Sequence, residues 1–250
     1  MIFVYFKISQ YLEFVITYIY IYIYIASISR LISFLGVNVP LPEKYRVDVS
    51  NTPIVFTSSY EHHSNLLPWR ESYVDIVSVN YHPLTGVDLT HLRELLITYG
   101  NRRLKIGSFS AASNVTGILT AVDDVSILLH QHGALAFFDY ATAAPYVKLD
   151  MNAYHAAKED GHLAYKDAVF FSGHKFLGGP GCPGVLIVKT KLLPYNDSKP
   201  TEPGGGTVFY VTEDHHRYLS NKEEREESGT PFILGDIKLG IVLHLRQKIG

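Results

Sequence analysis

Residues 168–175 read AVFFSGHK, a short apolar run that ends in a serine, a glycine, a histidine and a lysine. An uninterrupted apolar run of this length is typical of a strand that is buried on both faces of a sheet. The polar residues that follow would lie where the strand ends, and in a parallel α/β sheet ligands bind at that edge. The stretch therefore predicts both a fold class and the position of a site.

Further apolar runs of strand type lie on both sides of this one, at residues 53–57, 75–79, 103–109, 134–138 and 185–188. Helical spacing of apolar residues separates them, with Asp88 as an N-cap and Thr120 with Asp123 as a capping-box-like pair. The alternation predicts an α/β fold with a mostly parallel sheet and helices on both faces. Residues 213–227 carry nine charges and predict a solvated helix or loop, whereas residues 233–249 return to helical spacing.

The composition is that of a folded intracellular protein. Of 250 residues, 47% are hydrophobic and 18% charged, which is enough to bury a core and excludes wholesale disorder. The net charge of −2, without a long basic run, disfavours nucleic acid as the main partner. The single cysteine, Cys182, excludes an intrachain disulfide framework and a CxxC zinc site. We therefore expect a cytoplasmic protein without a metal centre.

The first 50 residues are of a different kind. Residues 18–25 alternate strictly between tyrosine and isoleucine, and residues 1–40 carry only three charges. Three interpretations stay open. The run is a translated TA-dinucleotide repeat (ATA specifies Ile and TAT specifies Tyr), a membrane-associated segment within residues 8–35, or an ordinary strand or helix. The predicted domains are an atypical hydrophobic segment over residues 1–50 and an α/β domain over residues 51–250.

Side chains that can bind a ligand or take part in catalysis lie at or shortly after the ends of three predicted strands. They are Asn114; Asp139; and Ser172, His174 and Lys175. Because the carboxyl ends of parallel strands share one edge, we expect these side chains to line one site. A lysine after a buried strand and hemmed by glycines can lose its charge by desolvation and attack an aldehyde.

Pyridoxal phosphate (PLP) requires a set of groups that the chain offers. It needs a lysine amine, a carboxylate at its ring nitrogen and donors for its phosphate, and it benefits from a flat side chain against its ring. The residues available for these tasks are Lys175, Asp139, Ser172 with His174, and His62.

Four segments resemble the class V aminotransferase family, most closely its cysteine desulfurase and selenocysteine lyase branch. They are residues 61–65 (EHHSN), 113–117 (SNVTG), 138–141 (FDYA) and 171–175 (FSGHK). Residues 203–207 (PGGGT) and 227–231 (ESGTP) also fall in the family's order. The resemblance runs from about residue 51 to 250. It implies the large domain of the fold-type-I architecture, PLP as cofactor, a small amino acid as substrate and a homodimer.

The resemblance also implies a role for each matching residue on the ring side of the cofactor. Lys175 would form the Schiff base with PLP and later move the substrate's α-proton. His62 would stack on the pyridine ring, and Asp139 would pair with its nitrogen. Asn114 would approach the phenolic oxygen. Thr142 stands where the family usually has a longer glutamine that touches the same oxygen.

On the phosphate side, the resemblance implies that Ser172 and His174 hold the phosphate and that Thr207 reaches the phosphate of a neighbouring protomer. The family's phosphate turn has no convincing counterpart in residues 26–51, and its carboxylate-binding arginine and nucleophilic cysteine would lie beyond Gly250. Cys182 is interpreted as a buried or incidental thiol rather than a sulfur carrier.

Three functional hypotheses follow. The first is a PLP enzyme of this family, with desulfurase or lyase chemistry preferred over transamination. The second is a catalytically impaired fragment or pseudoenzyme of that family, and the third is a membrane-attached protein whose α/β body only binds a ligand or partner. Each missing charge-assisted contact is worth about 1.5–3 kcal/mol, so we expect weak PLP binding and little desulfurase turnover.

Overall fold

A computed structural model of the chain describes residues 16–21, 24–38, 52–194 and 199–249. The elements, in chain order, are β1 (Ile16–Ile21), α1 (Tyr24–Phe34), β2 (Ile54–Ser58), α2 (His63–Arg70), β3 (Asp75–Val79), β4 (Tyr81–His82), β5 (Gly86–Val87), α3 (Leu89–Thr98), β6 (Lys105–Ser110), α4 (Val122–Gln131), β7 (Leu135–Asp139), β8 (Ala168–Ser172), β9 (Gly184–Lys189), β10 (Val208–Val211), β11 (His216–Tyr218), α5 (Lys222–Glu226) and α6 (Ile233–Ile249).

Seven strands form one sheet in the order β1-β9-β8-β7-β6-β2-β3. The five strands from β8 to β3 run parallel, so the predicted mostly parallel sheet is confirmed. Strand β9 pairs antiparallel with β8, and β1 pairs antiparallel with β9. Residues 173–183 join β8 to β9 without an α-helix, which suits antiparallel neighbours because a parallel pair needs a longer crossover.

Helices cover both faces of the sheet, as predicted. Consecutive residues of a strand point to opposite faces, so Phe137 packs on the side of α1 and α2 whereas Phe138 packs on the side of α3, α4 and α6. On the first side Trp69 of α2 is completely buried, and on the second side Leu129 of α4 is. The central strands are therefore covered on both faces, which accounts for their uninterrupted apolar sequences.

Helix α1 packs into the core although it lies in the segment predicted to be atypical. Its Ile28 and Leu31 side chains are completely buried, and Arg30 forms an ion pair with Glu202 at 2.9 Å. Residues 1–15, 22–23 and 39–51 lie outside the described residues, and they include Tyr22 and Ile23 of the Ile/Tyr run. The domain boundary at residue 50 stays a prediction. Within the described ranges, no helix has both the length and the apolar character that a membrane crossing requires.

The helix starts agree with the prediction in one case and differ in another. Asp88 caps α3, since its carboxylate accepts hydrogen bonds from the backbone N–H groups of Thr90 and His91. The capping box predicted at Thr120 is wrong, because α4 begins after Ala121 without a side-chain cap. The Thr120 hydroxyl instead donates to the carbonyl of Ser110 at 2.6 Å, which holds the loop against the end of β6.

The charged segment over residues 213–227 is only partly solvated, which corrects the prediction. It contains β11 and the short helix α5, in which Arg225 and Glu226 are buried. The Glu226 carboxylate accepts hydrogen bonds from the Thr201 backbone N–H and hydroxyl at 3.1 and 2.6 Å. The partner lies 25 residues away in sequence, so a count of local charges could not reveal this burial.

Candidate active site

Polar side chains end four neighbouring parallel strands. Ser58 ends β2, Ser110 ends β6, Asp139 ends β7 and Ser172 ends β8. All four residues are buried, and Ser110 and Asp139 are register partners across β6 and β7. The carboxyl edge of the sheet therefore carries a continuous row of polar groups, where α/β sheets bind ligands.

Asp139 lies near the middle of this row and is only 5% exposed. Its Oδ1 accepts a hydrogen bond from the backbone N–H of Ala141 at 2.7 Å, which holds the carboxylate in one orientation. Thr142 follows in the same loop and is half-buried. A fixed, buried carboxylate at a strand end suits the recognition of a protonated ring nitrogen.

Lys175 lies in a tight loop that only glycine permits. Gly173–Lys175 forms a single 3₁₀ turn directly after β8. A Cβ on Gly173 would lie 2.6 Å from the Pro183 carbonyl oxygen, and a Cβ on Gly179 would lie 2.2 Å from the Gly173 oxygen. The Lys175 side chain is exposed, although a lysine hemmed by glycines could also have been desolvated. Its amine is thus open to a ligand that enters from solvent.

His62 stands before helix α2 and serves as its N-cap. Its Nδ1 accepts a hydrogen bond from the Ser64 backbone N–H at 3.1 Å. Partial burial lowers the pKa of His62, and the positive charges of Lys175 and His63 lower it further. The imidazole therefore favours its neutral form, with the proton on Nε2, and the charge of Lys175 lies near enough to act on it.

Two other predicted residues lie in exposed positions beside this edge. Asn114 occupies an exposed turn after β6, where the Ser113 hydroxyl oxygen accepts hydrogen bonds from the N–H groups of Val115 and Thr116 at 3.2 Å. His174 is exposed beside Lys175. Both side chains are accessible to a ligand, and their contacts with a cofactor stay predictions.

Thr207 is placed differently from the others. It is completely buried, and its hydroxyl donates to the carbonyl of Gly204 at 2.7 Å. The predicted contact with a partner's phosphate therefore requires this loop to open. The adjacent loop, joined to it by a hydrogen bond from Gly229 N–H to the Gly205 carbonyl at 2.8 Å, leaves Thr230 exposed.

A buried carboxylate next to His62 was missed in the sequence. Glu61 accepts hydrogen bonds from the hydroxyls of Ser58 and Ser110 at 2.6 and 2.8 Å, and from Asn65 Nδ2 at 2.6 Å. Burial raises the pKa of Glu61, and these hydrogen bonds oppose that shift. The EHHSN segment contains both Glu61 and Asn65, so the two partners were visible in the sequence, but Glu61 precedes the helix and helical spacing does not predict their contact.

The only thiol of the chain is not part of this row. Cys182 is buried in the loop that follows Lys175. Burial raises the pKa of Cys182, and the charge of Lys238 opposes this only in part. A protonated, buried thiol is a poor nucleophile.

The donor set at the sheet edge fits PLP. Lys175 offers an exposed amine for an aldehyde, and Asp139 offers a fixed carboxylate for a ring nitrogen. His62 offers a flat, neutral ring, and Ser172 offers a hydroxyl at the end of β8. These are the groups that the aldehyde, ring and phosphate of PLP require.

Comparison with known protein sequences identifies a protein family that this chain matches. The sequence model of the family described as aminotransferase class-V matches residues 44–250. Probable cysteine desulfurases from Chlamydia muridarum and Staphylococcus aureus strain Mu50 are both 31% identical over 78% of this chain, covering 45% and 44% of their own lengths. One from Halalkalibacterium halodurans is 28% identical over 86% of this chain and 50% of its own length. The chain thus spans about half the length of these curated relatives.

Comparison with solved structures supports the fold. The apo cysteine desulfurase from Thermococcus onnurineus superposes with a TM-score of 0.69 at 24% identity, covering 95% of this chain and 52% of its own. The cysteine desulfurase CsdA from Escherichia coli gives 0.65 at 24% identity, covering 92% and 51%. The fold is that of the fold-type-I PLP enzymes, and the matched family is PLP-dependent. Given the family match over residues 44–250, the chain belongs to the class-V aminotransferase family.

Proposed function

We propose that this chain carries the PLP site of a class-V enzyme that acts on a small amino acid, with chemistry of the cysteine desulfurase type. The observation that carries the proposal is the row of polar groups at the carboxyl edge of the sheet, where Asp139 and Ser172 end neighbouring strands and Lys175 follows Ser172. The curated relatives named probable cysteine desulfurases support the choice of substrate class.

The residues of the edge have distinct tasks in this proposal. The Lys175 amine would bind the aldehyde of the cofactor and, once the substrate's own amine has displaced it there, would take the α-proton of the amino acid. When bound, PLP accepts the electron pair that this deprotonation leaves behind. The Asp139 carboxylate, held by the Ala141 N–H, keeps the ring nitrogen protonated. The neutral imidazole of His62 covers one face of the ring.

The remaining predicted residues hold the periphery of the cofactor. Ser172 and His174 donate to its phosphate, and Asn114 and Thr142 lie toward its phenolic oxygen. The functional unit in this proposal is a homodimer, in which the loop around Thr207 approaches the neighbouring protomer.

A second candidate function is a class-V protein that binds PLP but is catalytically impaired. The observation in its favour is the state of Cys182, the one cysteine of the chain, which is buried with a raised pKa. Transfer of sulfur to an enzyme thiol needs an accessible thiolate, which the buried Cys182 does not supply. Of the three hypotheses drawn from the sequence, only these two have an observation in their favour.

Turnover of cysteine separates the two candidates. The purified chain is incubated with PLP and cysteine, and alanine and sulfide are measured beside a Lys175→Ala control. Product that depends on Lys175 supports the enzyme. PLP bound at Lys175 without product supports the impaired protein. Absence of PLP binding would contradict both.

A further inference from the structure

We propose that Glu61 is a positioning residue of this site, whose buried carboxylate clamps the turn carrying His62 onto the ends of β2 and β6. The inference rests on the function proposed above, and it assigns a role to a residue that acts through His62. The physical basis is a hydrogen-bond network that converges on this one side chain.

Three elements meet at the Glu61 carboxylate. Oε1 accepts from the hydroxyl and backbone N–H of Ser58, at the end of β2, at 2.6 and 3.3 Å. Oε2 accepts from the Ser110 hydroxyl, at the end of β6, at 2.8 Å. Oε2 also accepts from Nδ2 of Asn65, in the first turn of α2, at 2.6 Å. His62 lies between Glu61 and Asn65, so the turn that carries it is fixed on both sides.

The polarity of the network requires a hydrogen-bond acceptor at Oε2 of this side chain. Trp69 Nε1 can only donate, and it donates to the Ser108 hydroxyl at 3.1 Å. Ser108 then donates to Asn65 Oδ1 at 2.8 Å, which turns the amide nitrogen of Asn65 toward Glu61. Trp69, Ser108 and Asn65 are completely buried, so water does not offer an alternative partner. Only an acceptor at Glu61 Oε2 satisfies this chain.

Stability alone does not account for this carboxylate. Within the described ranges, no cationic side chain forms an ion pair with Glu61, and its partners are all neutral donors. A buried carboxylate without a counter-charge is unfavourable relative to apolar packing. What the network provides is a single geometry for the β2–α2 turn.

That geometry reaches the imidazole directly. His62 Nδ1 accepts from the Ser64 backbone N–H only while the first turn of α2 keeps its position. This hydrogen bond selects the neutral tautomer with the proton on Nε2. If Glu61 no longer holds the turn, we expect the imidazole to exchange between its two tautomers and to cover the cofactor ring less well.

The test compares Glu61→Gln with Asp167→Asn in the full 250-residue chain. The glutamine has the same shape, but its NH₂ group can only donate. In either orientation it faces another donor, Asn65 Nδ2 or the Ser58 backbone N–H. Asp167 is a matched control, because it is a buried carboxylate that precedes β8 at the opposite end of the strand. Ring ¹⁵N chemical shifts of His62 in the PLP-free chain report its tautomer.

We expect separate, fixed ring shifts for His62 in the wild-type chain and in Asp167→Asn, and averaged shifts in Glu61→Gln. PLP affinity, measured by titration, should fall at least about tenfold in Glu61→Gln and change less than about twofold in Asp167→Asn. If Glu61→Gln does not fold, Ser110→Ala removes a single donor to the same carboxylate and should average the His62 shifts in part.

The proposal would be overturned if the His62 ring shifts in Glu61→Gln were the same as in the wild-type chain. If only Ser110→Ala folds, wild-type shifts in that variant would overturn it. Equal averaging in Asp167→Asn would also overturn it, since the effect would then be general destabilisation. Failure of the wild-type chain to bind PLP would instead contradict the proposed function. The ring shifts would still decide the role of Glu61.

Discussion

The charge of Lys175 acts on the imidazole of His62, although the two residues follow different strands of the sheet. Strands β8 and β2 are separated in the sheet by β7 and β6, so this interaction spans the ends of two intervening strands. Asp139 ends β7 and Ser110 ends β6 in that interval. The charge of Lys175 therefore reaches His62 across the carboxyl edge of the sheet, where the candidate active site lies.

Removal of the Lys175 charge should raise the pKa of His62. Partial burial remains in Lys175→Gln, but the repulsion between the imidazolium and the lysine ammonium is gone, so the pKa should move back toward its ordinary value. An NMR titration of His62 measures the shift. In the control Lys191→Gln, whose lysine pairs with Asp167, the pKa of His62 should stay at its wild-type value. An unchanged His62 pKa in Lys175→Gln would contradict the charge interaction between Lys175 and His62.

Gly179→Ala should disturb the Lys175 loop. The new Cβ would lie 2.2 Å from the Gly173 carbonyl oxygen and 2.8 Å from that of Phe176, so the backbone must shift. Overpacking of this kind costs about 1–3 kcal/mol, and we expect weaker PLP binding together with a lower unfolding free energy. Gly205→Ala is the control, because a Cβ there meets nothing within 4 Å. Equal PLP affinities for the two variants would show that the loop tolerates the shift.

Leu31→Ala should destabilise the protein strongly. The Leu31 side chain of α1 is completely buried, and truncation of such a leucine costs about 2–5 kcal/mol. Chemical denaturation measures the change, with Leu84→Ala as a control because Leu84 is 85% exposed. If the two variants are equally stable, α1 does not belong to the folded core, and the domain boundary predicted at residue 50 gains support.

Acid should remove the stability that the Asp167 network contributes. Burial raises the pKa of Asp167, but the hydrogen bonds and charges of His130 and Lys191 outweigh it, so the net pKa is lowered. The folded-state pKa then lies below the unfolded value of about 3.9. The contribution is fully present above that value and is lost as the pH falls through the folded pKa.

Urea denaturation between pH 2 and pH 7 measures this contribution. Asp167→Asn should lose about 1–3 kcal/mol at pH 7 and show a shallower decline of stability in acid than the wild-type chain. Parallel pH profiles for the two proteins would show that Asp167 does not titrate with folding.

The fold could largely be predicted because its signals are local. The strand that leads to Lys175 is a run of apolar residues, and the residues that end it are the ones placed at the sheet edge. The direction of β9 was not predicted, since a strand that is apolar on both faces has the same sequence pattern whether it runs parallel or antiparallel to its neighbour. Helix α2 was not predicted, because a proline, Pro68, lies inside it and few of its residues are apolar.

The rest of the site depends on contacts that sequence spacing does not encode. The Glu61 network joins residues from β2, α2 and β6, and its hydrogen bonds to β6 span 39 to 49 positions. The exposure of Lys175 likewise depends on how residues 173–183 fold back, not on the glycines that surround it. The order of the motifs was therefore enough to name the candidate residues, whereas their burial and hydrogen bonding could be learned only from the structure.

The central claim is that Lys175 is the residue that binds the cofactor, and covalent trapping tests it most directly. The full chain is incubated with PLP, reduced with borohydride, digested and mapped by mass spectrometry. We expect the pyridoxyl group on Lys175, and no transfer to a neighbouring lysine in Lys175→Ala. Equal labelling of Lys175 and of surface lysines such as Lys148 and Lys158 would contradict the claim.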